Sequence, residues 1–509
     1  MSIVKENRSP SCAGFKIIQL PCVTMCKLKQ CTKIGVTTMV QLAKRGYTLC
    51  ISLYVIMHFV VSFTHGEELS TIISLFGLTA FIIGYLFLPL KQAWISLLLV
   101  VIALIVHISA GTSLIEASVS GFTVMSGLIA LLLIVPMISW VLEEKPYIAS
   151  VINFAQKLLN TSRKFYIGMM VITQIISYFL LFGSIPMVYG MINDFLSNQK
   201  GEVWENYKGT ALLRAFALTT LWVVSIPSFI FAVEALGASL GLSILQGFFI
   251  SFAGILLSVL FSYFQERHYG VDLTAGIQEQ LAKITEQKKQ DTQGNRDARE
   301  FGLLFVTLFG SIFLLNALWN VELLLIIPIV IIAWVLLYFI IRRRSGAITE
   351  NGKTYITKSI PNKAQQFSIL LAAGFLIDAV NQSGYGEYII DGLFYVSDAV
   401  PFLNFLWVLP FVVIILGFIG LGPLTVIVLV SGILQGVELP YPPEIVVLGI
   451  TSGSVISIML SPLILPSIIL SSVNRLSIVK NGLLFNYKYA IAFYIMVQIY
   501  LQLFVLLFL

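Results

Sequence analysis

Thirteen apolar stretches punctuate this chain, and together they constrain its fold more than any single motif. They lie near 49–63, 70–88, 93–110, 122–142, 165–192, 211–233, 240–264, 301–318, 323–341, 367–380, 401–436, 445–473 and 489–509. A helix needs about 20 residues to cross a hydrocarbon core of roughly 30 Å, and most of these stretches are of that order. They show no period-two alternation, so helices are implied rather than barrel strands. With 58% of residues hydrophobic and 11% charged, the chain has too few polar groups to cover a water-facing surface of its size. The expected class is an all-α polytopic membrane protein, multi-pass in the cytoplasmic membrane.

Loop charges orient such a chain. Before residue 49 stand Lys5, Arg8, Lys16, Lys27, Lys29, Lys33, Lys44 and Arg45 against the single acid Glu6, which places the N-terminus in the cytoplasm. His65-Gly66-Glu67-Glu68 is then external, Lys91 internal, the loop at 111–116 external, and Lys145, Lys157, Arg163 and Lys164 internal again. The basic loop 265–300 and the cluster Arg342-Arg343-Arg344 are expected inside. Four of the five cysteines (Cys12, Cys22, Cys26 and Cys31) fall in the N-terminal segment, and Cys50 opens the first stretch. Their spacing fits no zinc pattern, and thiols in the cytoplasm stay reduced.

An internal echo organises the rest. Gly183-Ser184-Ile185-Pro186 interrupts one apolar stretch and Gly420-Leu421-Gly422-Pro423 another, with Pro186 and Pro423 standing 237 residues apart. The following stretch is interrupted each time: Thr219-Thr220 with Ser225-Ile226-Pro227, then Thr451-Ser452-Gly453-Ser454 with Ser461-Pro462. Pro227 and Pro462 stand 235 residues apart. To keep 265–300 inside, the three stretches between 165 and 264 must cross an even number of times, so 165–192 is expected to enter from the cytoplasm and turn back. Its counterpart 401–436 dips from outside. The two copies then have opposite orientations. The implied organisation is a cytoplasmic tail 1–47, scaffold helices 48–120, a first inverted repeat 121–239, linking helices with a cytoplasmic loop 240–365, a second inverted repeat 366–474 and a C-terminal helix 475–509. Paired Gly/Pro-interrupted segments in two halves point to a midplane substrate site in a secondary transporter. Half-helix N-termini there suit an anion, and freed carbonyls suit a cation.

Two repeats, each with a transmembrane helix, a re-entrant hairpin and a broken helix rich in small hydroxyl residues, resemble the ion transporter superfamily. That group includes dicarboxylate/sodium symporters, C4-dicarboxylate and gluconate permeases and some sodium/proton antiporters. The resemblance spans about 122–473 and is architectural: the Ser-Asn-Thr triplet typical of the dicarboxylate/sodium members is absent. It implies hairpin tips at Gly183, Pro186, Gly422 and Pro423. It also implies that Ser184 and Thr425, with Thr219, Thr220, Ser225, Thr451, Ser452, Ser454 and Ser457 of the broken helices, face substrate or ion. Ser225 and Ser457 are expected on the coupling ion, the others on substrate.

Ionisable residues sharpen these expectations. Arg214 stands a few residues inside the start of the stretch 211–233, where a cation snorkels or grips an anionic substrate through its guanidinium fork. Asp378, with Asn381 and Gln382 a turn further on, is the carboxylate deepest in an apolar stretch and the expected carrier of a proton or sodium. Glu143, Glu144, Glu234, Glu387 and Asp391 stand at the ends of stretches, as solvated caps do. His58 and His107 lie within stretches before the first repeat and read as packing.

The expected activity is secondary active transport of a small organic anion, a carboxylate, driven by a proton or sodium gradient. A sodium/proton antiporter of the same architecture and a membrane-embedded lipid-handling enzyme are the alternatives. The enzyme would want paired carboxylates or a His/Asp set at the membrane surface, and the short external loops hold none. No G-x-x-x-x-G-K-[ST] occurs, so ATP drive is not expected. No cofactor beyond a coupling proton or sodium is implied. The net charge of +6 suits anionic headgroups rather than nucleic acid, and the architecture leaves room for a homodimer.

Overall fold

The computed structural model describes residues 22–64, 66–145, 147, 160–196, 199–287, 292–319, 321–398 and 404–508, and side chains of 22–37, 67–68, 281–295, 390, 393–394, 396–398 and 508 are outside the description. The N-terminal cysteine cluster therefore lies outside the described side chains. Among the described residues the regular structure is helical, and ten helical segments are long and apolar enough to cross a membrane.

Six helices make an N-terminal layer: α1 (Cys22–Thr64), α2 (Glu67–Tyr85), α3 (Leu90–Ala110), α4 (Leu114–Thr123), α5 (Ser126–Ile134) and α6 (Ile138–Leu142). The last three form one bent apolar segment, Leu114–Leu142, interrupted at Val124-Met125 and again at Pro136, whose ring removes an amide donor from the ladder. The sequence places the start of this segment at 122. The structure begins it at Leu114, because the small polar residues Ser118 and Thr123 return their hydroxyl protons to carbonyls three or four residues back and stay helical.

The first interrupted unit is α7 (Ser162–Leu180), α8 (Ser184–Phe195), α9 (Glu202–Thr219) and α10 (Pro227–Ala235). The chain turns back between α7 and α8, which brings the Phe165 and Phe195 rings to 5.2 Å from opposite ends of the hairpin. The second unit is preceded by α11 (Leu240–Tyr269), α12 (Leu273–Gln287), α13 (Thr292–Trp319), α14 (Leu323–Ile341), α15 (Ser345–Thr354), α16 (Ala364–Ser383) and α17 (Tyr385–Asp398). It consists of α18 (Phe405–Phe418), α19 (Pro423–Leu434), α20 (Pro443–Leu460) and α21 (Leu465–Asn474), and α22 (Phe485–Phe508) closes the chain.

The two units match element by element. α9 and α20 are both 18 residues long, each ends in a non-helical break (220–226 and 461–464), and each break is followed by a short helix with proline in its first turn, Pro227 and Pro466. The structural partner of Pro227 is therefore Pro466, not the Pro462 that the sequence echo suggests. Proline fits the first helical turn, where its missing N–H costs nothing, and Pro462 sits in the break itself. Packing repeats too: α7 lies along α9 as α18 lies along α20, α8 meets α21 as α19 meets α10, and α9 and α20 touch at the centre.

The two broken helices run antiparallel. Lys480, just beyond α21, pairs with Glu202 at the start of α9 at 2.6 Å, and Gly209 faces Leu470, Asn474 and Asn481. At the opposite end Glu444, at the start of α20, accepts the backbone N–H of Ser239, just beyond α10, at 2.9 Å. Each broken helix thus begins near the end of the short helix that follows the other.

Enclosure follows from the broken backbone. Non-helical peptide groups at membrane depth persist only where protein or a wet cavity satisfies them. In their most apolar 18-residue windows Ser162–Phe195 and Pro443–Asn474 are 61% and 67% buried, and the unbroken central Ala364–Ser383 is 72% buried, whereas Leu240–Tyr269, Arg296–Trp319 and Lys480–Leu507 are 33%, 22% and 28% buried and turn Phe249, Leu256, Leu303 and Ile495 outward. At one end of the bundle Lys145 pairs with Asp297 and Glu300, Tyr147 and Arg342 also donate to Glu300, and Arg344 pairs with Glu144. The hydrogen bond to Glu300 holds the Lys145 ammonium above its ordinary range.

Candidate functional site

The hairpin tips and the helix breaks meet within each unit. In the second, the Ser461 hydroxyl donates to the Gly417 carbonyl at 3.1 Å, and a Cβ on Gly417 would stand 1.8 Å from Ser457 Oγ. Leu463 of the break lies 3.4 Å from the Cβ position of Gly420. In the first unit the contact is aromatic: the Phe182 ring is 5.5 Å from Phe216 and Tyr178 is 5.2 Å from Trp222. Both tips need a left-handed residue. Gly420 supplies it with φ +102, whereas Leu181 adopts φ +46 with ψ −121 despite its Cβ. That conformation stores strain of about 1–2 kcal/mol. Leu181→Gly is expected to raise the thermal midpoint of the purified protein by that margin, and Gly420→Leu to lower it. Equal midpoints for Leu181→Gly and the unsubstituted protein would show the turn to be unstrained.

The structure sorts the hydroxyls expected on the site. Ser184, Thr219, Thr220, Thr451 and Ser452 are buried and donate to carbonyls of their own helical turns, at Leu181, Phe216, Ala217, Val447 and Gly449. They keep lone pairs but no free proton. Thr425 is buried one turn into α19. Ser225 in the first break and Ser454 and Ser457 before the second are 2%, 0% and 1% exposed, and their oxygens have no hydrogen-bond partner among the described residues. A buried hydroxyl without a partner costs about 1–3 kcal/mol. Ser225 lies in the first break and Ser454 and Ser457 in the last two turns of α20 before the second, so both regions hold unspent polar capacity.

The tip glycines do not serve close packing. A Cβ on Gly422 meets nothing within 4 Å, and one on Gly183 meets only Leu180 Cβ at 3.5 Å. Pro423 opens α19 at a position where its ring is helix-compatible, and Pro186 lies in the first turn of α8.

Arg214 departs most from expectation. α9 begins at Glu202, so Arg214 lies deep in the helix and is 0% exposed, with no route to a headgroup. Nε donates to Asn486 Oδ1 at 2.8 Å, Nη1 to Ser258 Oγ at 3.1 Å and Tyr166 OH at 3.4 Å, and Nη2 to the Phe485 carbonyl at 3.1 Å. The guanidinium lies 4.4 Å from the Tyr489 ring. Four of its five N–H donors are spent on the protein, so the bidentate grip on substrate expected from the sequence is not available. Arg214 instead ties α9 to α7, α11 and the start of α22. The sequence start at 211 was misleading because Trp204–Lys208 reads as polar. In the fold Lys208 is buried, pairs with Glu205 at 2.6 Å and donates to Asn193 at 3.1 Å.

Asp378 lies elsewhere, on a second feature. A cavity of about 600 Å³ opens between the N-terminal layer, α10, the start of α14, α16 and the end of α19, lined by His58, Ser126, Glu234, Glu322, Asp378, Asn381 and Gln435 among others. No lysine or arginine and no tip residue lines it. Asp378 accepts from Ser120 Oγ at 2.7 Å and from Gln382 at 3.0 Å, and His107 Nε2 stands 3.9 Å from its Oδ2. Asn381 is exposed and donates to the Gly432 carbonyl of α19 at 3.1 Å. Glu234 is no solvated cap: it accepts the backbone N–H of Leu324 at 2.9 Å. Glu322 was not singled out by sequence, since it stands between two apolar stretches and owes its place at the cavity to the turn into α14. The sequence reads His58 and His107 as packing; His107 is buried and His58 half-buried at the cavity, and each leaves Nε2 without a hydrogen-bond partner among the described residues.

Among the described residues no group of three His, Cys, Asp or Glu side chains is placed to hold a metal ion. Compared with known proteins, the chain matches no family model and no curated protein.

Proposed function

We propose that this membrane protein is a secondary active transporter built from two inverted repeats, moving a small organic anion with a proton or sodium gradient. One observation carries the reading: two broken helices of equal length pack antiparallel at the centre, each with a hairpin tip against its break. Secondary transporters place substrate at such a repeat interface near the midplane. With Arg214 committed to the protein, the anion is held by N–H groups at the starts of α8, α10, α19 and α21 and by the hydroxyls of Ser225, Ser454 and Ser457. The hairpins and broken helices are the moving body, and the N-terminal layer with α13 and α14 is the scaffold.

The test is uptake by proteoliposomes offered a panel of labelled mono- and dicarboxylates, with and without pH and sodium gradients. Gradient-driven accumulation of at least one carboxylate supports the reading, and failure of every carboxylate under every gradient rejects it. The acidic cavity supports a second reading, sodium/proton exchange, which would acidify or alkalinise the vesicle lumen on a sodium jump with no carboxylate present.

Orientation has its own test. Cysteine at Glu444 or Glu322 is expected to react with an impermeant thiol reagent from outside intact cells, and cysteine at Lys480 or Arg343 only after permeabilisation. Equal labelling of positions 444 and 480 from outside would remove the inversion.

A further inference from the structure

We propose that His107 and Asp378 form a single-proton site, loaded from the acidic cavity, and that this proton is the coupling ion. The inference rests on the transport reading. The pair belongs to two helices, α3 and α16, that pack along one another. His107 is 0% exposed, and its ring lies 5.1 Å from that of Phe375. Its Nδ1 is 2.8 Å from Thr112 Oγ1, and the Thr112 hydroxyl lies 3.1 Å from the carbonyl of His107 itself. The hydroxyl has one proton. When it goes to the carbonyl, Nδ1 must donate, and the hydrogen-bond network then fixes the neutral tautomer with a bare Nε2.

That bare nitrogen has no hydrogen-bond partner among the described residues and stands 3.9 Å from Asp378 Oδ2. Two lone-pair-bearing atoms facing each other in a buried place leave room for one proton. On loading, a proton moves from water in the cavity to Asp378 Oδ2, the new O–H turns to the bare His107 Nε2, the site gains one positive charge, and no other bond is broken. Ser120 and Gln382 already donate to the carboxylate, so they fix its orientation without filling the gap towards His107.

Among the described residues no lysine or arginine lines the cavity. From α4, Glu116 is exposed, and α19 carries no titratable residue. α17 carries Tyr385 with the exposed Glu387 and Asp391, and α2 carries Tyr85. Across the cavity stand His58, Glu234 and Glu322. These carboxylates raise the local concentration of cations. They do not converge on one point as metal ligands among the described residues, and a proton needs only a pair. The link to movement is short. Asn381, one turn from Asp378, bonds to Gly432, and the Cβ position of Gly432 is 2.5 Å from Ile377, so α16 is keyed into the second arm of the second hairpin.

The test uses the full-length protein in lipid vesicles with no solute added. With aspartate-selective carbon-13 labelling, the infrared carboxyl stretch of the unsubstituted protein is expected to show one protonated aspartate that titrates with external pH. The band should vanish in Asp378→Asn. In His107→Gln its midpoint should fall by about one pH unit, because the neutral Nε2 that accepts from the protonated carboxyl is lost. No titrating aspartate in the unsubstituted protein, or an unmoved midpoint in folded His107→Gln, overturns the proposal. The same vesicles loaded with a pH dye separate the two readings. Carboxylate uptake without lumenal acidification rejects the proton and leaves transport standing. A titrating pair in vesicles that accumulate no carboxylate rejects the transport reading, and the pair with it as a coupling site.

Discussion

Gly247→Ala is expected to keep the protein from reaching the membrane in folded form. A Cβ at this position of α11 would lie 1.9 Å from the Leu221 carbonyl oxygen, 2.7 Å from the Leu221 carbonyl carbon and 3.1 Å from Trp222 Cβ. The first two are backbone atoms of the break that follows α9, so no rotamer can relieve the overlap. Either α11 moves away or the break rearranges, and both disturb the enclosure of the non-helical peptide groups. Overpacking a tight core costs about 1–3 kcal/mol where side chains can yield, and here the cost is at the upper end or beyond. Fluorescence-detected size exclusion of tagged variants gives the measurement. Gly247→Ala should aggregate or disappear, while Gly310→Ala and Gly422→Ala, whose Cβ positions meet nothing within 4 Å, should elute as the unsubstituted protein does. A monodisperse Gly247→Ala variant of unchanged thermal midpoint would mean that α11 and the first break are not in contact.

Arg214→Ala is expected to destabilise the fold by about 3–5 kcal/mol, the range found when one partner of a buried charged network is removed. It strips Asn486 Oδ1, Ser258 Oγ and the Phe485 carbonyl of their donor and leaves a void beside Tyr489. Arg214→Lys keeps the charge but cannot reach three elements with one ammonium, so it should recover only part of the loss. The decisive comparison is between stability and affinity. Surviving Arg214→Lys protein should show a lowered thermal midpoint with an unchanged apparent affinity for any solute it carries. A normal midpoint with a tenfold weaker affinity would return Arg214 to the substrate, as the sequence alone suggests.

How much was legible before the fold was known depends on the range of the forces involved. The turns at 181–184 and 419–422 and the breaks at 220–226 and 461–464 were written locally, in glycine, proline and small hydroxyl residues that alter a helix where they stand. The pairing of Pro227 with Pro466 was not, since Pro462 is as good a proline on paper, and only the helix that forms around Pro466 distinguishes them. Lys208 and Glu205 made the start of α9 look like a loop, because a polar run in sequence carries no sign that its charges will meet inside a bundle.

The sequence by itself determined that this protein is helical, lies in a membrane and breaks its helices in two matching places. Hydrophobic runs and backbone-restricted residues act within a few positions of themselves and need no partner to be read. Only the tertiary structure decided where the charges go. Arg214 finds its partners 44 to 272 residues away, Asp378 meets Ser120 across 258 residues, and Glu234 and Glu322 reach one cavity from separate helices. In a low-dielectric interior a charged group is settled by whichever polar atoms the packing brings within hydrogen-bond reach, and that choice belongs to the assembled bundle.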